Sequence, residues 1–386
     1  MSKIEKLIEE LCPNGVEYKK LEFCCRILDN KRKPISKNSR NIGIYPYYGA
    51  NGIQDYIDNY IFDGKYVLIG EDGSVQTQNG NPIVNWAEGK IWVNNHAHII
   101  EEANNVLLRY LFHYLQIVDV SDLIHGNIPK LTGSDFRNII VPVPPLEVQE
   151  EIVRILDKFG ELEAELEAEL EARKSQYEFW RDKLLNNNMQ KFYIKDICIN
   201  ISSGGTPSTR NPDYYNGNIP WLRTQEINWN SIKDTEIKIT NEAVLNSSAK
   251  LIPKNCVIIA MYGATVGKSA FNNIPLTTNQ ACCNLEINSN LANYKYVFYW
   301  FLNKYKYIKS LGQGSQTNIN SQIIKNLVIE LPSLQEQEKI VNILDKFNKL
   351  VNDISEGLPA EIEARRKQYE YYRNKLLSFE ELVVNE

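Results

Sequence analysis

Ile155-Leu156-Asp157-Lys158-Phe159 returns unchanged as Ile343-Leu344-Asp345-Lys346-Phe347, 188 residues further along the chain. Ahead of each copy stands a related helix start, Pro144-Pro145-Leu146-Glu147-Val148-Gln149 and Pro332-Ser333-Leu334-Gln335-Glu336-Gln337. Beyond each, Gln176-Tyr177-Glu178 and Lys183-Leu184-Leu185 reappear as Gln368-Tyr369-Glu370 and Lys375-Leu376-Leu377. The offset there is 192 residues, so the second copy is four residues longer. A period of about half the chain is too long for a solenoid of small repeats. It predicts two globular modules, each followed by a related helix.

Both repeats follow proline, which suits a helix start because its missing N–H would be unpaired there in any case. The first shows Ile152, Leu156, Phe159, Leu166, Leu170, Tyr177, Trp180 and Leu184, a ladder of fours and threes whose missing rungs are Glu163 and Arg173. The second gives Ile340, Leu344, Phe347, Val351, Ile354, Leu358, Ile362, Arg365, Tyr369, Tyr372 and Leu376. Its extra four, between Leu358 and Ile362, reads either as a stutter or as a break at Gly357 and Pro359. Duplicated ladders with matched ends predict a pair of helices packed as an antiparallel coiled coil. The first, from about Leu146 to Asn187, would span roughly 60 Å at 1.5 Å per residue. Its acidic run Glu161 to Glu171 would face solvent, and the second helix carries Arg365-Arg366-Lys367.

The 386 residues suffice for two or three domains. An apolar share of 43% with 24% charged residues is that of a soluble globular protein. Met1-Ser2-Lys3-Ile4-Glu5-Lys6 carries charges where a secretory leader needs an apolar run, and no stretch approaches eighteen apolar residues, so neither a leader nor a membrane span is expected. Seven cysteines, two adjacent pairs among them and no C-x-x-C, point to reduced thiols and a cytoplasmic protein. The net charge of −5 is localised. Leu146 to Leu185 holds twelve acidic and six basic residues, a net of −6, so the remainder carries +1. Composition alone does not indicate nucleic acid.

The expected organisation is a mixed α/β module over residues 1–140, a central helix over 141–188, a second module over 189–331 and a closing helix over 332–386. The fold class is α/β in the α+β sense. Strand-like runs such as Tyr66-Val67-Leu68-Ile69 and Val257-Ile258-Ile259-Ala260 lie between Gly, Asn and Pro turns. The helical stretch Val106 to Ile117 has a counterpart in Tyr294 to Tyr305. The modules share a plan but differ in surface sequence, as two readers tuned to different targets would.

The second module contains Gly204-Gly205-Thr206-Pro207, Ile219-Pro220-Trp221, Tyr262-Gly263-Ala264-Thr265-Val266-Gly267, Thr278-Asn279-Gln280-Ala281 and Gly312-Gln313-Gly314-Ser315-Gln316-Thr317-Asn318-Ile319. It resembles the target-recognition domain of type I restriction-modification specificity subunits. The helix ends Ala172-Arg173-Lys174-Ser175-Gln176-Tyr177 and Ala364-Arg365-Arg366-Lys367-Gln368-Tyr369 are similar to that family's repeated spacers. The first module departs more, with Asn30-Lys31-Arg32-Lys33-Pro34 in place of the Gly-Gly-Thr-Pro turn. Tyr47-Tyr48-Gly49-Ala50-Asn51-Gly52 and Trp92-Val93-Asn94-Asn95-His96-Ala97 still fit.

The resemblance implies that each module reads one half of a bipartite site in double-stranded DNA, while the helix pair sets the spacing and docks two methyltransferase subunits. Motor-nuclease restriction subunits would complete the enzyme. This chain would bind no cofactor or metal, whereas the assembled complex would use S-adenosylmethionine, ATP and Mg²⁺ on its partners. A ruler is physically reasonable, because readers must sit about one duplex turn apart, roughly 34 Å, to address the same groove face.

Base edges favour Arg, Lys, Asn and Gln, and phosphates favour cations, hydroxyls and backbone amides. The candidate DNA-binding residues are Arg32, Lys33, Lys37 and Arg40 in the first module. In the second they are Thr206, Arg210, Arg223, Thr224, Lys268, Gln313, Gln316 and Asn318.

Several catalytic patterns are incomplete. Gly263 to Ser269 has three residues between its glycines where a phosphate-binding loop needs four. Asn211-Pro212-Asp213-Tyr214 breaks an adenine-methylation motif at its third position. Pro212-Asp213 with Glu236-Ile237-Lys238 fits a metal-dependent nuclease loosely, and that reading stands as the alternative, beside an adaptor that binds no DNA. His96 and His98 alternate without an evident third ligand.

If the helices are a ruler, inserting four residues near Ala168 will shift the spacer length tolerated in methylated sites. An unchanged motif in the methylome of a host carrying the insertion would remove that role.

Overall fold

The two modules are built on sheets of the same plan. The computed structural model describes residues 3–103, 105–186, 189–312, 318–353 and 355–382. It comprises two compact units, one of Met1–Glu167 with Ile362–Glu386 and one of Ala168–Glu361. The first unit's sheet runs in the order Cys25–Ile27, Ala97–Glu102, Phe62–Gly70, Val84–Val93, Ile42–Gly49 and Gly52–Ile57. The second unit's runs Cys198–Ser203, Cys282–Ile287, Val257–Ala260, Ser269–Asn272 and Ser231–Ile232. In both, the first three junctions are antiparallel and the fourth is parallel.

The apolar runs Tyr66–Ile69 and Val257–Ala260 form central strands and are buried on both faces, which explains why they do not alternate. A separate two-stranded ribbon ties the start of each module to its end. Glu17–Lys20 pairs antiparallel with Ile140–Val143 in the first unit, and Gln190–Tyr193 pairs with Val328–Leu331 in the second.

The central helix runs unbroken over Leu146–Leu185. The closing segment is two helices, Leu334–Asn352 and Leu358–Leu376, so the extra four residues are a break and not a stutter. The cause is local. A side chain at Gly357 would meet the carbonyl oxygens of Lys349, Leu350 and Asp353 at 2.5–2.8 Å, so only glycine fits the turn. Pro359 follows in the first turn of the new helix, where its ring is tolerated. Ile354, a rung of the expected ladder, lies outside the described residues.

The helix seam is antiparallel. In the first unit, Phe159 stacks on Tyr372 at 5.5 Å and leans on Tyr369 at 6.3 Å. Further along, Glu163 and Glu167 both meet Arg366, at 2.7 and 3.4 Å. Numbers rise on one helix as they fall on the other. Glu163, a missing apolar rung, is thus filled by an ion pair. In the second unit, Tyr177 faces Phe347 at 6.2 Å, and Leu170 and Leu184 pack against the core that holds Ile340, Leu344 and Val351.

Each module is fastened to its helix by a buried glutamine from the repeated start. Gln149 donates to the carbonyls of Pro144 (2.8 Å) and Asn105 (3.3 Å) and accepts from the Leu107 amide (2.9 Å). Gln337 donates to Pro332 (2.9 Å) and Leu291 (3.3 Å) and accepts from Asn293 (2.8 Å). Three partners satisfy each side chain, which is what burial of an amide demands.

Gln337→Leu keeps the volume but strands an amide N–H and two carbonyls. It is expected to cost about 2–3 kcal/mol, read as a lower urea midpoint. An unchanged midpoint would show that the fastening is dispensable.

Candidate nucleic-acid interface

In the first unit the segment from Asp29 to Asn41 is pinned along its length, and it presents its cations unequally. Arg32 points inward. Its guanidinium meets Glu71 at 2.6 Å, the Ala97 carbonyl at 2.6 Å and the Asp29 carboxylate at 3.5 Å. The Lys33 carbonyl accepts from the Trp92 indole at 2.6 Å, which leaves the Lys33 side chain exposed on a fixed backbone. The Tyr47 hydroxyl accepts from the Ile35 amide at 3.0 Å. Arg40 lies over the Tyr47 ring at 4.1 Å, donates to the Ile35 carbonyl at 3.1 Å and reaches Asp55 at 3.4 Å. Lys37 is exposed on a single 3-10 turn, Lys37–Ser39. The arrangement offers Lys33 and Lys37 to solvent from a loop with little freedom left to lose.

Behind that loop sits a closed network. His98, on the strand Ala97–Glu102, faces Asp29 through Nδ1 at 2.7 Å and the Leu131 carbonyl through Nε2 at 3.0 Å, and its ring stacks on Phe136. Burial works against the Asp29 carboxylate, yet the hydrogen bond and charge of His98, with Arg32 and the Ile99 amide, hold its pKa below the ordinary value. Among the described residues, Asp29, Glu71 and His98 form the one acid–histidine group with metal-like spacing. Arg32 and Lys130 (3.2 Å from Glu71) already bring two positive charges to those carboxylates. The group is therefore a saturated ion-pair network. His96, the other alternating histidine, is exposed and pairs with Asp72.

In the second unit four of the candidates join one chain of contacts. The Gly204-Gly205 turn is pressed against Thr278, whose carbonyl accepts from the Gly205 amide at 2.9 Å. A Cβ on Gly204 would stand 1.9 Å from that oxygen. Thr206, next in line, donates to Gln280. The adjacent Asn279 amide donates to the Leu222 carbonyl at 3.0 Å, which leads to Arg223 and Thr224. Thr265 donates to the Thr224 carbonyl at 2.7 Å, and Lys268 reaches Asn228 at 2.7 Å. Arg223 is half-buried between Glu226 (3.7 Å) and Glu236. Arg210 is exposed nearby in sequence, just before the Pro212–Tyr215 turn. Asn318 has a buried Oδ1 without a hydrogen-bond partner among the described residues. Gln313 and Gln316 lie outside the described residues.

The same geometry bears on the catalytic patterns. Gly263 to Lys268 closes a turn between the antiparallel strands Val257–Ala260 and Ser269–Asn272. A phosphate cradle needs the amides of a following helix, and a strand follows here. Glu236 is engaged with Arg223, and Asp213 lies within a short 3-10 turn whose cap, Asn211, accepts from its amide.

The fasteners are weakly marked in the sequence. Gln149, Gln337, Asp157 and Asp345 were on view in the repeat, but an apolar ladder draws attention to its rungs. Their recurrence at the same steps from the helix start was the available signal. The partners Asp29 and Glu71 of His98 are far apart in the chain and carried none.

The family model for the type I restriction modification DNA specificity domain matches this chain twice, over residues 13–172 and 186–364. A Haemophilus influenzae protein assigned to the type I restriction enzyme specificity subunits is 36% identical over 97% of this chain and 98% of its own. The EcoR124I/EcoR124II specificity subunit of Escherichia coli is 38% identical over 72% of each chain. Among solved structures, the type I S subunit from M. genitalium superposes with a TM-score of 0.61 at 14% identity, covering 95% of this chain and 97% of that one. HsdS from Thermoanaerobacter tengcongensis gives 0.52 at 15%, covering 96% and 99%. The chain belongs to the type I restriction-modification specificity family. It is a DNA-specificity subunit, and the duplicated family match coincides with its duplicated sheets.

Arg32→Ala would leave Asp29 and Glu71 short of a cation and is expected to cost about 3 kcal/mol. The exposed Lys37→Ala should stay within about 0.5 kcal/mol. Thermal melts showing equal effects would contradict the inward role of Arg32.

Proposed function

We propose that each unit reads one half of a bipartite duplex site, the first through Lys33, Lys37 and Arg40, the second through Thr206, Arg210, Arg223, Thr224, Lys268 and Asn318. The observation that carries this reading is one strand plan presented twice with unlike outward surfaces, each copy fastened to the shared helices in the same way. A shared five-strand plan gives comparable presentation, and unlike surfaces give different targets. Exposed lysines on a pinned loop suit phosphates, which position a reader without specifying sequence. An arginine held between carboxylates is kept extended and can exchange them for a guanine edge, to which its fork is complementary. Gln313 and Gln316 belong to the same reading on their residue types alone.

The helix pair sets the distance between half-sites and docks two methyltransferase subunits, with restriction subunits joining them. The chemistry, with its S-adenosylmethionine, ATP and Mg²⁺, belongs to those partners. Among the described residues no helix is long and apolar enough to cross a membrane, and a DNA reader of this kind works in the cytoplasm.

Arg223→Ala should relax one half-site by about 1–3 kcal/mol and leave the other intact, as read by methylome mapping of a host carrying the chain with its methyltransferase. Lys37→Ala should lower the salt slope of binding by about one without changing the motif. Equal damage to both halves by Arg223→Ala would overturn modular reading.

A further inference from the structure

The repeated Ile-Leu-Asp-Lys-Phe places a carboxylate two helical turns beyond each buried glutamine, and each carboxylate is grasped by its own module. In the first unit, Arg109 Nε and His113 Nε2 both donate to Asp157 Oδ1, at 2.7 and 2.8 Å. They stand one turn apart on the helix Leu108–Leu115. In the second, Lys295 Nζ donates to Asp345 Oδ2 at 2.5 Å and the Tyr299 hydroxyl donates to Oδ1 at 2.6 Å. Those two also stand one turn apart, on Tyr294–Asn303. The antiparallel partner helix sets a tyrosine and an arginine from the second repeated motif beside each grasp. Tyr369 under Arg373 (5.1 Å) stands beside the first and meets His113 through its hydroxyl, and Tyr177 under Arg181 (5.3 Å) stands beside the second. A cation and a second donor one turn apart, an aspartate, a tyrosine and an arginine thus recur in both units.

We propose that Asp157 and Asp345 are positioning residues for DNA reading: each fixes the orientation of its own module on the helix, and the grasp made through His113 weakens with acid while the one made through Tyr299 holds. The proposal rests on the half-site reading above. A glutamine alone is a pivot. An aspartate eight residues further along the same helix turns that pivot into a two-point mount, so the module cannot swivel about its attachment. The mounts differ at two positions, Arg109 against Lys295 and His113 against Tyr299, and of these four side chains only the histidine ordinarily titrates near neutrality. His113 is buried, with Asp157 on the central helix, Tyr369 and Arg373 on the closing helix and Arg109 on its own helix around it. Its Nδ1 lies 3.2 Å from the Tyr369 hydroxyl, which can donate to the neutral ring. Burial lowers the His113 pKa from 6.5, Asp157 opposes this, and Arg109 and Arg373 add to it. A lowered histidine pKa means that the released ring takes up a proton more readily than the held one. The mount is therefore intact above the ordinary value and weakens as pH falls through it.

The test uses the chain assembled with its methyltransferase subunits, on duplexes carrying the mapped site and on duplexes whose spacer is one base pair longer or shorter. Wild type should discriminate among the three. Asp345→Asn and the milder Tyr299→Phe should reduce that discrimination about tenfold, the order set by one misplaced base contact, with the complex still assembled and its melting cooperative. Asp345→Glu should restore part of it. His113→Tyr, which puts a hydroxyl where the second mount has Tyr299, should flatten the pH dependence of spacer discrimination between about pH 7.5 and 5.5. Assembled, folded Asp345→Asn and Tyr299→Phe complexes that discriminate like wild type would overturn the positioning role. An acid response unchanged in His113→Tyr would overturn the histidine's part. A wild-type complex whose binding ignores one scrambled half-site would instead refute the bipartite reading on which the proposal stands.

Discussion

A recognition module is useful only if it is held in a known orientation, and here that constraint falls on two polar side chains per unit. Gln149 and Asp157 in the first, Gln337 and Asp345 in the second, leave a helix at the same two steps and enter the module beside it. Apolar packing of Ile152, Leu156, Ile340 and Leu344 supplies most of the attraction. It is nondirectional and would tolerate slippage. Hydrogen bonds between buried partners do not tolerate it, because every displaced donor or acceptor loses its partner away from water.

The two units solve the remaining problem differently. The first places exposed lysines on a loop locked from beneath by tyrosine, tryptophan and the Arg32 network. The second gathers distant segments into one surface through side-chain and backbone contacts that run from Thr206 to Lys268. Pinned loops lose little entropy on meeting a ligand, so the cost of ordering has already been met in folding.

Much of the architecture was legible in the residues. The duplicated Ile-Leu-Asp-Lys-Phe, the ladders around it and the apolar runs at Tyr66 and Val257 indicated helices, strands and the alternation of module and helix along the chain, but not the strand order within each sheet. Gly357 and Pro359 left a stutter and a break open, because spacing alone does not reveal that three carbonyls crowd the glycine. The candidate surface was legible by residue type but not by direction. Arg32 and Lys33 are neighbours with the same charge, yet one turns inward, half-buried against Glu71, and the other faces solvent. That difference depends on Glu71, Ala97 and Trp92, and no local pattern links them to the basic stretch.

The ribbons that join Glu17–Lys20 to Ile140–Val143 and Gln190–Tyr193 to Val328–Leu331 carry a consequence for heredity. Incoming and outgoing strands run side by side, about 5 Å apart, so everything between them is a detour that begins and ends at one point on the framework. A foreign detour with the same two ends can be spliced in without moving the framework, and one module can be exchanged in a single recombination while its neighbour is passed on untouched.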